Sequence, residues 1–394
     1  MSGQTLGVGI IGAGHILKRH ADACRALPGL CRLVAIADLD RDRALAAQRT
    51  FGFTAALTDH RELLDRRDVD VVCVCTPAGT HAALALDAIE AGKHVLIEKP
   101  LATTLEDADR LIRATARHPG RTCGCVFQLR LDPVYRRLRW IIEQGEIGRV
   151  LSATARVRLR KSPTYFTSAP GRGSFRTDGG GVVINQAIHQ LDAMLFALGD
   201  VVEVSAVAKT LVHPIEGEDV LLGWMRFAGG AVGNVDCSTF AKRREFILEV
   251  IGENAAVRVY GDPDAQAFEW TIDAPGSAAR DAIRSRAVAA VPEVKKPPKW
   301  ARSLMKLAAK VTRKSALAPP EGGHRALLRA FLEAAASGGP APVTLEEGRR
   351  SLALVLALYE SARTQRALSL PDVAESTARQ ITTTGGVASA AIAR

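Results

Sequence analysis

Short apolar runs alternate with helical patterns through the first 126 residues. Leu6 to Ile11, Leu33 to Ala37, Val69 to Cys75, His94 to Ile97 and Thr122 to Phe127 read as strands. Alternation of this kind predicts a parallel, doubly wound sheet with helices on its faces. After it the pattern changes. Asp132 and Pro133 open a helix as N-cap and first residue, and Gly145 closes it. Val150 to Arg160 then alternates strictly, with Leu151, Ala153, Ala155, Val157 and Leu159 apolar, so one face of that strand is buried and the other is wet or meets a partner. Further strands fall around 201–212, 219–228, 231–240, 244–252, 255–260 and 266–272, with Gly229-Gly230 as a hairpin turn. Helical patterns at 323–336 and 345–366 complete the chain. The expected architecture is α/β: a doubly wound parallel sheet over 1–127, then an α+β domain over 128–371 with a large, mostly antiparallel open sheet. Residues 372–394, rich in Thr, Gly and Ala, read as a disordered tail.

At 394 residues the chain exceeds one ordinary core, which agrees with two domains. No apolar stretch approaches the roughly 20 residues of a membrane span, and Met1 to Leu6 lack a basic leader, so a cytoplasmic protein is expected. The seven cysteines have no metal-like spacing, and Cys73/Cys75 and Cys123/Cys125 lie two apart inside apolar runs. Buried inert thiols are expected there, with neither disulfides nor a metal. The net charge of +10 is almost all local: the segment from Arg280 to Lys314 carries eleven Lys or Arg against Asp281 and Glu293. A general basic footprint is absent, and nucleic acid is not the expected partner.

Three places carry chemistry. The first strand runs into Gly12-Ala13-Gly14 with a helix behind it, the setting in which glycines let a pyrophosphate approach backbone N–H groups at a helix start. Leu17 stands where a third small residue is usual. Asp38 ends the second strand, where an acid hydrogen-bonds the adenine ribose and repels a 2′-phosphate, favouring NAD over NADP. Arg41 and Arg43 close by leave NADP open. Glu98-Lys99-Pro100 follows the apolar run Val95 to Ile97, placing a lysine at the carboxyl end of a strand, where ligands of open parallel sheets bind. A desolvated ammonium there polarises a hydroxyl or carries its proton; the plain alternative is a solvated loop lysine. Finally, Gly179-Gly180-Gly181 precedes an apolar helix carrying Asn185, His189 and Asp192 at i, i+4 and i+7. This stripe is expected to face a substrate, with the glycines allowing close approach and His189 suited to acid–base work. A core histidine satisfied by a carbonyl is the plain alternative.

Together these pieces resemble the glucose-fructose oxidoreductase / inositol dehydrogenase / MocA family of NAD(P)-dependent oxidoreductases. The match runs from Val8-Gly9-Ile10-Ile11-Gly12-Ala13-Gly14 through Thr76-Pro77, His81, Glu98-Lys99-Pro100, Arg130 with Pro133, and the Gly179…Asn185…His189…Asp192 block to His324 and Glu346-Glu347-Gly348-Arg349-Arg350-Ser351. The resemblance implies a Rossmann domain beside a substrate domain that packs into dimers or tetramers. It implies Lys99 and His189 as the catalytic pair, with Asn185 beside them, and Gly12, Gly14, Ile16, Asp38, Thr76, Pro77, His81, Glu98 and Lys99 around the dinucleotide. Arg130, Tyr165, Arg172, Asn185, His189 and Asp192 are the candidate substrate contacts. Many members carry Asp where this chain has Asn185, which can orient a hydroxyl or the imidazole but cannot act as a base. The Asn-Gln-x-x-His form is similar to members acting on nucleotide-linked amino-sugar uronates. The implied reaction is reversible oxidation of a secondary hydroxyl on a sugar, cyclitol or nucleotide-sugar. One of Lys99 and His189 takes the proton and the other stabilises the alkoxide. Reduction of a keto-sugar or imine by the same residues, and dinucleotide binding without turnover, are the alternatives.

Trp300, Leu304, Leu307 and Val311 fall at helical spacing among Lys299, Arg302, Lys306, Lys310, Arg313 and Lys314, which predicts a basic amphipathic helix. Packing of its stripe on its own domain or a neighbouring subunit is expected ahead of attachment of 295–314 to an anionic membrane.

Overall fold

The computed structural model describes residues 5–262, 267–292 and 323–370. In chain order its elements are β1 (Leu6–Ile11), α1 (Leu17–Arg25), β2 (Cys31–Ala37), α2 (Arg41–Phe51), β3 (Ala55–Leu57), α3 (His60–Leu64), β4 (Val71–Val74), α4 (His81–Glu90), β5 (His94–Ile97), α5 (Leu105–Arg117), β6 (Cys123–Cys125) and α6 (Pro133–Glu143). Then follow β7 (Val150–Arg160), α7 (Pro163–Thr167), α8 (Phe175–Asp178), a π-helical turn (Val183–Ala187), α9 (Ile188–Leu198), β8 (Val201–Lys209), β9 (Val220–Phe227), β10 (Val232–Ser238), β11 (Phe240–Gly252), β12 (Ala256–Asp262), β13 (Ala267–Asp273), α10 (Ser277–Ala290), α11 (Gly323–Ser337), α12 (Leu345–Thr364) and β14 (Leu368–Ser369). The expected basic helix over 299–314 and the tail over 372–394 lie outside the described residues.

The chain divides into two compact units. The first comprises Met1–Leu101, Leu111–Arg137 and Arg284–Gly348, and the second Ala102–Arg110, Leu138–Ile283 and Arg349–Arg394. The first unit holds the expected parallel sheet, in the order β3-β2-β1-β4-β5-β6. Its central strands are apolar throughout because helices cover both faces: Val8, Ile10, Val71 to Val74 and Val95 to Ile97 are buried. The winding reverses between β1 and β4, which pair from Val8↔Val71 to Ile11↔Val74. A crevice for a ligand opens at the carboxyl ends of such strands.

The second unit is built on an eight-stranded sheet, β13-β12-β11-β7-β10-β9-β8-β14. Among the described strands of this sheet only β7 and β10 pair in parallel; β11 and β9 flank them antiparallel. The alternation of β7 is realised, since Ala153, Ala155, Val157 and Leu159 are buried. Leu151 departs from it at 38% exposure, near the strand's start. On the opposite face Arg158 pairs with Asp236 and Glu245. Gly229-Gly230 closes the β9–β10 hairpin, with Phe227 N–H donating to the Ala231 carbonyl. All seven cysteines are free and buried; for Cys73, Cys75, Cys123 and Cys125 burial agrees with their place in apolar runs. Among the described residues no helix is long and apolar enough to cross a membrane.

Candidate active site

In the first unit the carboxyl ends of β1, β2, β4 and β5 bring the predicted dinucleotide residues together. Gly12 has φ +104°, and a Cβ there would meet the Cys75 carbonyl oxygen at 2.6 Å and Thr76 Cγ2 at 3.0 Å. The turn after β1 is therefore pressed against the exit of β4, and only glycine fits. Gly14 is the opposite case: a Cβ there would find no atom within 4 Å, so its face is open. Ile16 precedes α1, whose N-terminus carries no side-chain cap. Open space before an uncapped helix start is what a pyrophosphate requires. Leu17 does not obstruct it, being buried in α1.

Asp38 holds this turn in shape. Its Oδ2 accepts the Ala13 N–H at 2.6 Å and its Oδ1 the Asp40 N–H at 2.9 Å. The same carboxylate stands where the ribose is expected. Substituting Asp38→Asn, which keeps one acceptor and removes the charge, is expected to weaken NAD several-fold and tighten NADP. Calorimetric titration with both cofactors checks this, and parallel changes for the two would contradict it. Arg43 pairs with Asp40 and is exposed.

Thr76 and Pro77 follow β4, and the Thr80 hydroxyl donates to Thr76 Oγ1 at 2.8 Å. His81 is buried, with Nδ1 2.7 Å from the Pro100 carbonyl and Nε2 2.8 Å from the Thr76 carbonyl. It bridges the two site loops. Burial pushes its pKa down against the pull of the two carbonyls.

Glu98 is buried beneath Lys99. Its Oε2 accepts the Lys99 backbone N–H at 3.1 Å, and its Oε1 lies 2.7 Å from His20 Nε2 and 3.6 Å from His324 Nε2. Burial favours the neutral acid, but bonds from His20 and His324 outweigh it and hold Glu98 well below the usual carboxylate range. Burial also opposes charge on His20, and Cys75, Cys73 and Glu98 outweigh it, raising its pKa. His324 is pushed down by burial. Glu98 is thus an anchor for the lysine's backbone. Its stabilisation is present above pH 4.5 and lost as pH falls through the depressed folded pKa. That of His20 is present below pH 6.5 and lost as pH rises through the raised one. The melting-temperature advantage of wild type over the double variant His20→Asn/Glu98→Gln is therefore expected to peak between about pH 4.5 and 6.5. An advantage independent of pH would show that the pair is not ionised. Lys99 itself is half-buried, two residues beyond β5.

In the second unit, Tyr165, Arg172 and Asn185 line one pocket together with Lys161, Gln186 and Thr239. Lys161 Nζ stands 4.4 Å and Arg172 Cζ 4.6 Å from the Tyr165 ring centre. Arg172 Nη1 also donates to the Tyr165 carbonyl and to Ser168 Oγ. Asn185 sits in the π-helical turn, and its side-chain amide donates to the Gly180 and Gly181 carbonyls, both at 3.0 Å. The Ile188 N–H reaches back to the Val183 carbonyl, so the turn is wider than an α-helical one. That width breaks the even stripe expected from α-helical spacing. His189 is half-buried in the first turn of α9. Asp192 is fully buried and accepts a hydrogen bond from Ser351 at 2.7 Å. It does not line the pocket. Nor does Arg130, which belongs to the first unit and is paired there with Glu347.

The glycine triplet is packed against the protein on the side where a Cβ would stand, while Gly181 also lines the pocket. A Cβ on Gly179 would meet Ile184 Cδ1 at 2.8 Å, one on Gly180 the Tyr359 hydroxyl at 2.5 Å, and one on Gly181 the Glu218 carbonyl oxygen at 1.8 Å. Glu218, which the sequence did not single out, organises this corner. Its Oε2 accepts Gly181 N–H at 3.0 Å, and its Oε1 accepts Val183 N–H at 2.8 Å and the Tyr359 hydroxyl at 2.9 Å. Burial nevertheless pushes its carboxyl pKa up. The only sequence signal was an acid pair, Glu218-Asp219, set directly before an apolar strand.

A glycine turn at the switch point of a 3-2-1-4-5-6 sheet, with an acid ending the second strand, defines the class: a dinucleotide-dependent oxidoreductase built on a Rossmann unit. The chain belongs to the GFO/IDH/MocA oxidoreductase family, whose NAD-binding Rossmann-fold model matches residues 6–124 and whose C-terminal domain model matches 135–258. It is 30% identical over 286 residues to levoglucosan dehydrogenase of Pseudarthrobacter phenanthrenivorans, covering 64% of this chain and 73% of that one. It is 28% identical over 373 residues to myo-inositol 2-dehydrogenase of Thermotoga maritima, covering 93% and 99%. Among solved structures it resembles the WlbA dehydrogenase from Bordetella pertussis in complex with NADH and UDP-GlcNAcA, with TM-score 0.77, 26% identity, and 94% and 98% of the two chains covered.

Proposed function

We propose that this protein reversibly oxidises a secondary hydroxyl of a sugar, cyclitol or nucleotide-sugar, amino-sugar uronates among them. The observation that carries this reading is Lys99, held at the ligand edge of the parallel sheet through the buried Glu98 carboxylate. The relatives support it: two are dehydrogenases named for levoglucosan and myo-inositol, and the WlbA dehydrogenase was solved in complex with NADH and UDP-GlcNAcA. Bound NAD supplies the two-electron acceptor for the carbinol carbon. Gly14 and the start of α1 offer backbone N–H groups to its pyrophosphate, and Asp38, which holds the turn through the Ala13 N–H, offers a carboxylate to its ribose.

In the proposed chemistry the His189 imidazole accepts the hydroxyl proton and Lys99 Nζ donates a hydrogen bond to the developing alkoxide. Asn185, its amide committed to the Gly180 and Gly181 carbonyls, fixes the turn that leads into His189 and acts as a positioning residue. In reverse the same groups protonate a ketone as it is reduced. Assembly into dimers or tetramers is supported by the outer face of the open sheet, where Val207, Leu222 and Trp224 are exposed on adjacent strands. The test is a cofactor-reduction screen across neutral sugars, cyclitols, uronates and nucleotide-sugars. Turnover of at least one class is expected, and none from any would remove the reading.

A further inference from the structure

The pocket of the second unit has a chemical character that a site for neutral polyols would not need. Two cations, Lys161 and Arg172, both lie within 5 Å of the Tyr165 ring centre, against its electron-rich π system. Arg172 spends its hydrogen bonds on neutral oxygens, the Tyr165 carbonyl and Ser168 Oγ, and among the described residues no carboxylate pairs with it. The one acid in the lining, Asp178, accepts the Gly173 N–H at 2.8 Å. A second, independent observation points to a ligand. Thr239 also lines the pocket, is only 3% exposed, and its buried hydroxyl has no hydrogen-bond partner among the described residues. A buried hydroxyl of that kind is a cost unless something else satisfies it.

We propose that Lys161, Arg172 and Thr239 form an anion-recognising substrate subsite, taking a carboxylate or phosphate carried by the sugar. This rests on the reading of the protein as a sugar dehydrogenase and narrows it to acidic substrates. The stacked cations supply charge in a pre-organised geometry, because the Tyr165 ring restricts where each can move. Thr239 supplies a donor that an anionic oxygen accepts. A neutral polyol gains hydrogen bonds here but brings no charge to meet the Arg172 guanidinium, which no carboxylate among the described residues pairs.

Calorimetric titration of the full-length protein saturated with NADH tests the proposal with four probes. D-glucuronate carries a carboxylate alone, UDP-glucose phosphates alone, UDP-glucuronate both, and D-glucose neither. The acidic probes are expected to bind at least about tenfold tighter than D-glucose, and Arg172→Met and Lys161→Met to remove most of that advantage. Tight D-glucuronate with weak UDP-glucose assigns the site to the carboxylate; equal binding of the two UDP-sugars assigns it to phosphate. Thr239→Val guards against a misfolded variant. It removes an unsatisfied hydroxyl at constant shape, so its melting temperature should hold or rise while acid binding falls several-fold. Acidic probes that bind no better than D-glucose, or fail to bind, overturn the proposal, as does an acid preference untouched by all three variants. NADH binding, measured first in the same instrument, and turnover of neutral sugars report separately on the dehydrogenase reading.

Discussion

Lys99→Ala and His189→Ala are each expected to lower kcat by about 10²-fold or more while NAD affinity changes little. The expectation follows from what each side chain can do. A hydroxyl cannot lose its carbon-bound hydrogen with its electrons unless the proton on oxygen has somewhere to go and the oxygen's charge is met as it forms. An imidazole serves the first need and an ammonium the second. The backbone of Lys99 is fixed by Glu98, whose other oxygen faces His20 and His324, so the loop keeps its shape when the side chain is truncated. The loss should therefore appear in kcat and kcat/KM together. A change confined to KM would show that these residues bind substrate without sharing in the chemical step.

The second large effect concerns folding of the second unit. In Gly181→Ala the new methyl would fall 1.8 Å from the Glu218 carbonyl oxygen and 2.6 Å from its nitrogen. Both are backbone atoms, so no rotamer relieves the clash. Glu218 is itself held to Gly181, Val182 and Val183 through carboxylate and carbonyl hydrogen bonds, all of which must stretch if the chain moves aside. The cost is expected to be about 3 kcal/mol or more, a fall in melting temperature of roughly 6–12 °C. Gly29→Ala is the control, because a Cβ there meets no atom within 4 Å and φ is ordinary. Equal melting temperatures for the two variants would contradict the packing described.

Most of the strands were legible because they carry their own patterns. Continuous apolar runs marked the parallel strands, and β7 announced its half-buried state by strict alternation. Elements too short to show a period were not legible: β3 has three residues and β14 two. At the site, residue types that chemistry demands could be picked out. Roles set by a distant partner could not. Asp192 reads as polar until Ser351 arrives from 159 residues away, and Glu98 reads as a cofactor neighbour until His20 closes on it from 78 residues away. The glycine triplet reads as room for a ligand, and Gly181 does line the pocket, but the tight packing of all three against Ile184, Tyr359 and Glu218 on other elements leaves no trace in the local sequence. The π-helical turn at Val183–Ala187 left no periodic trace, yet Asn185 lies within it and donates to the Gly180 and Gly181 carbonyls.

Transfer of a carbon-bound hydrogen to the cofactor is the direct test of dehydrogenase activity. Wild-type protein and the Lys99→Ala and His189→Ala variants are incubated with NAD and carbinol-deuterated sugars, cyclitols and nucleotide-sugars, and the nicotinamide is analysed by mass spectrometry. One deuterium gained per cofactor reduced is expected from wild type, with the gain slowed by about two orders of magnitude in both variants. NAD that binds yet stays unlabelled across every substrate class would instead identify a dinucleotide-binding regulator without turnover.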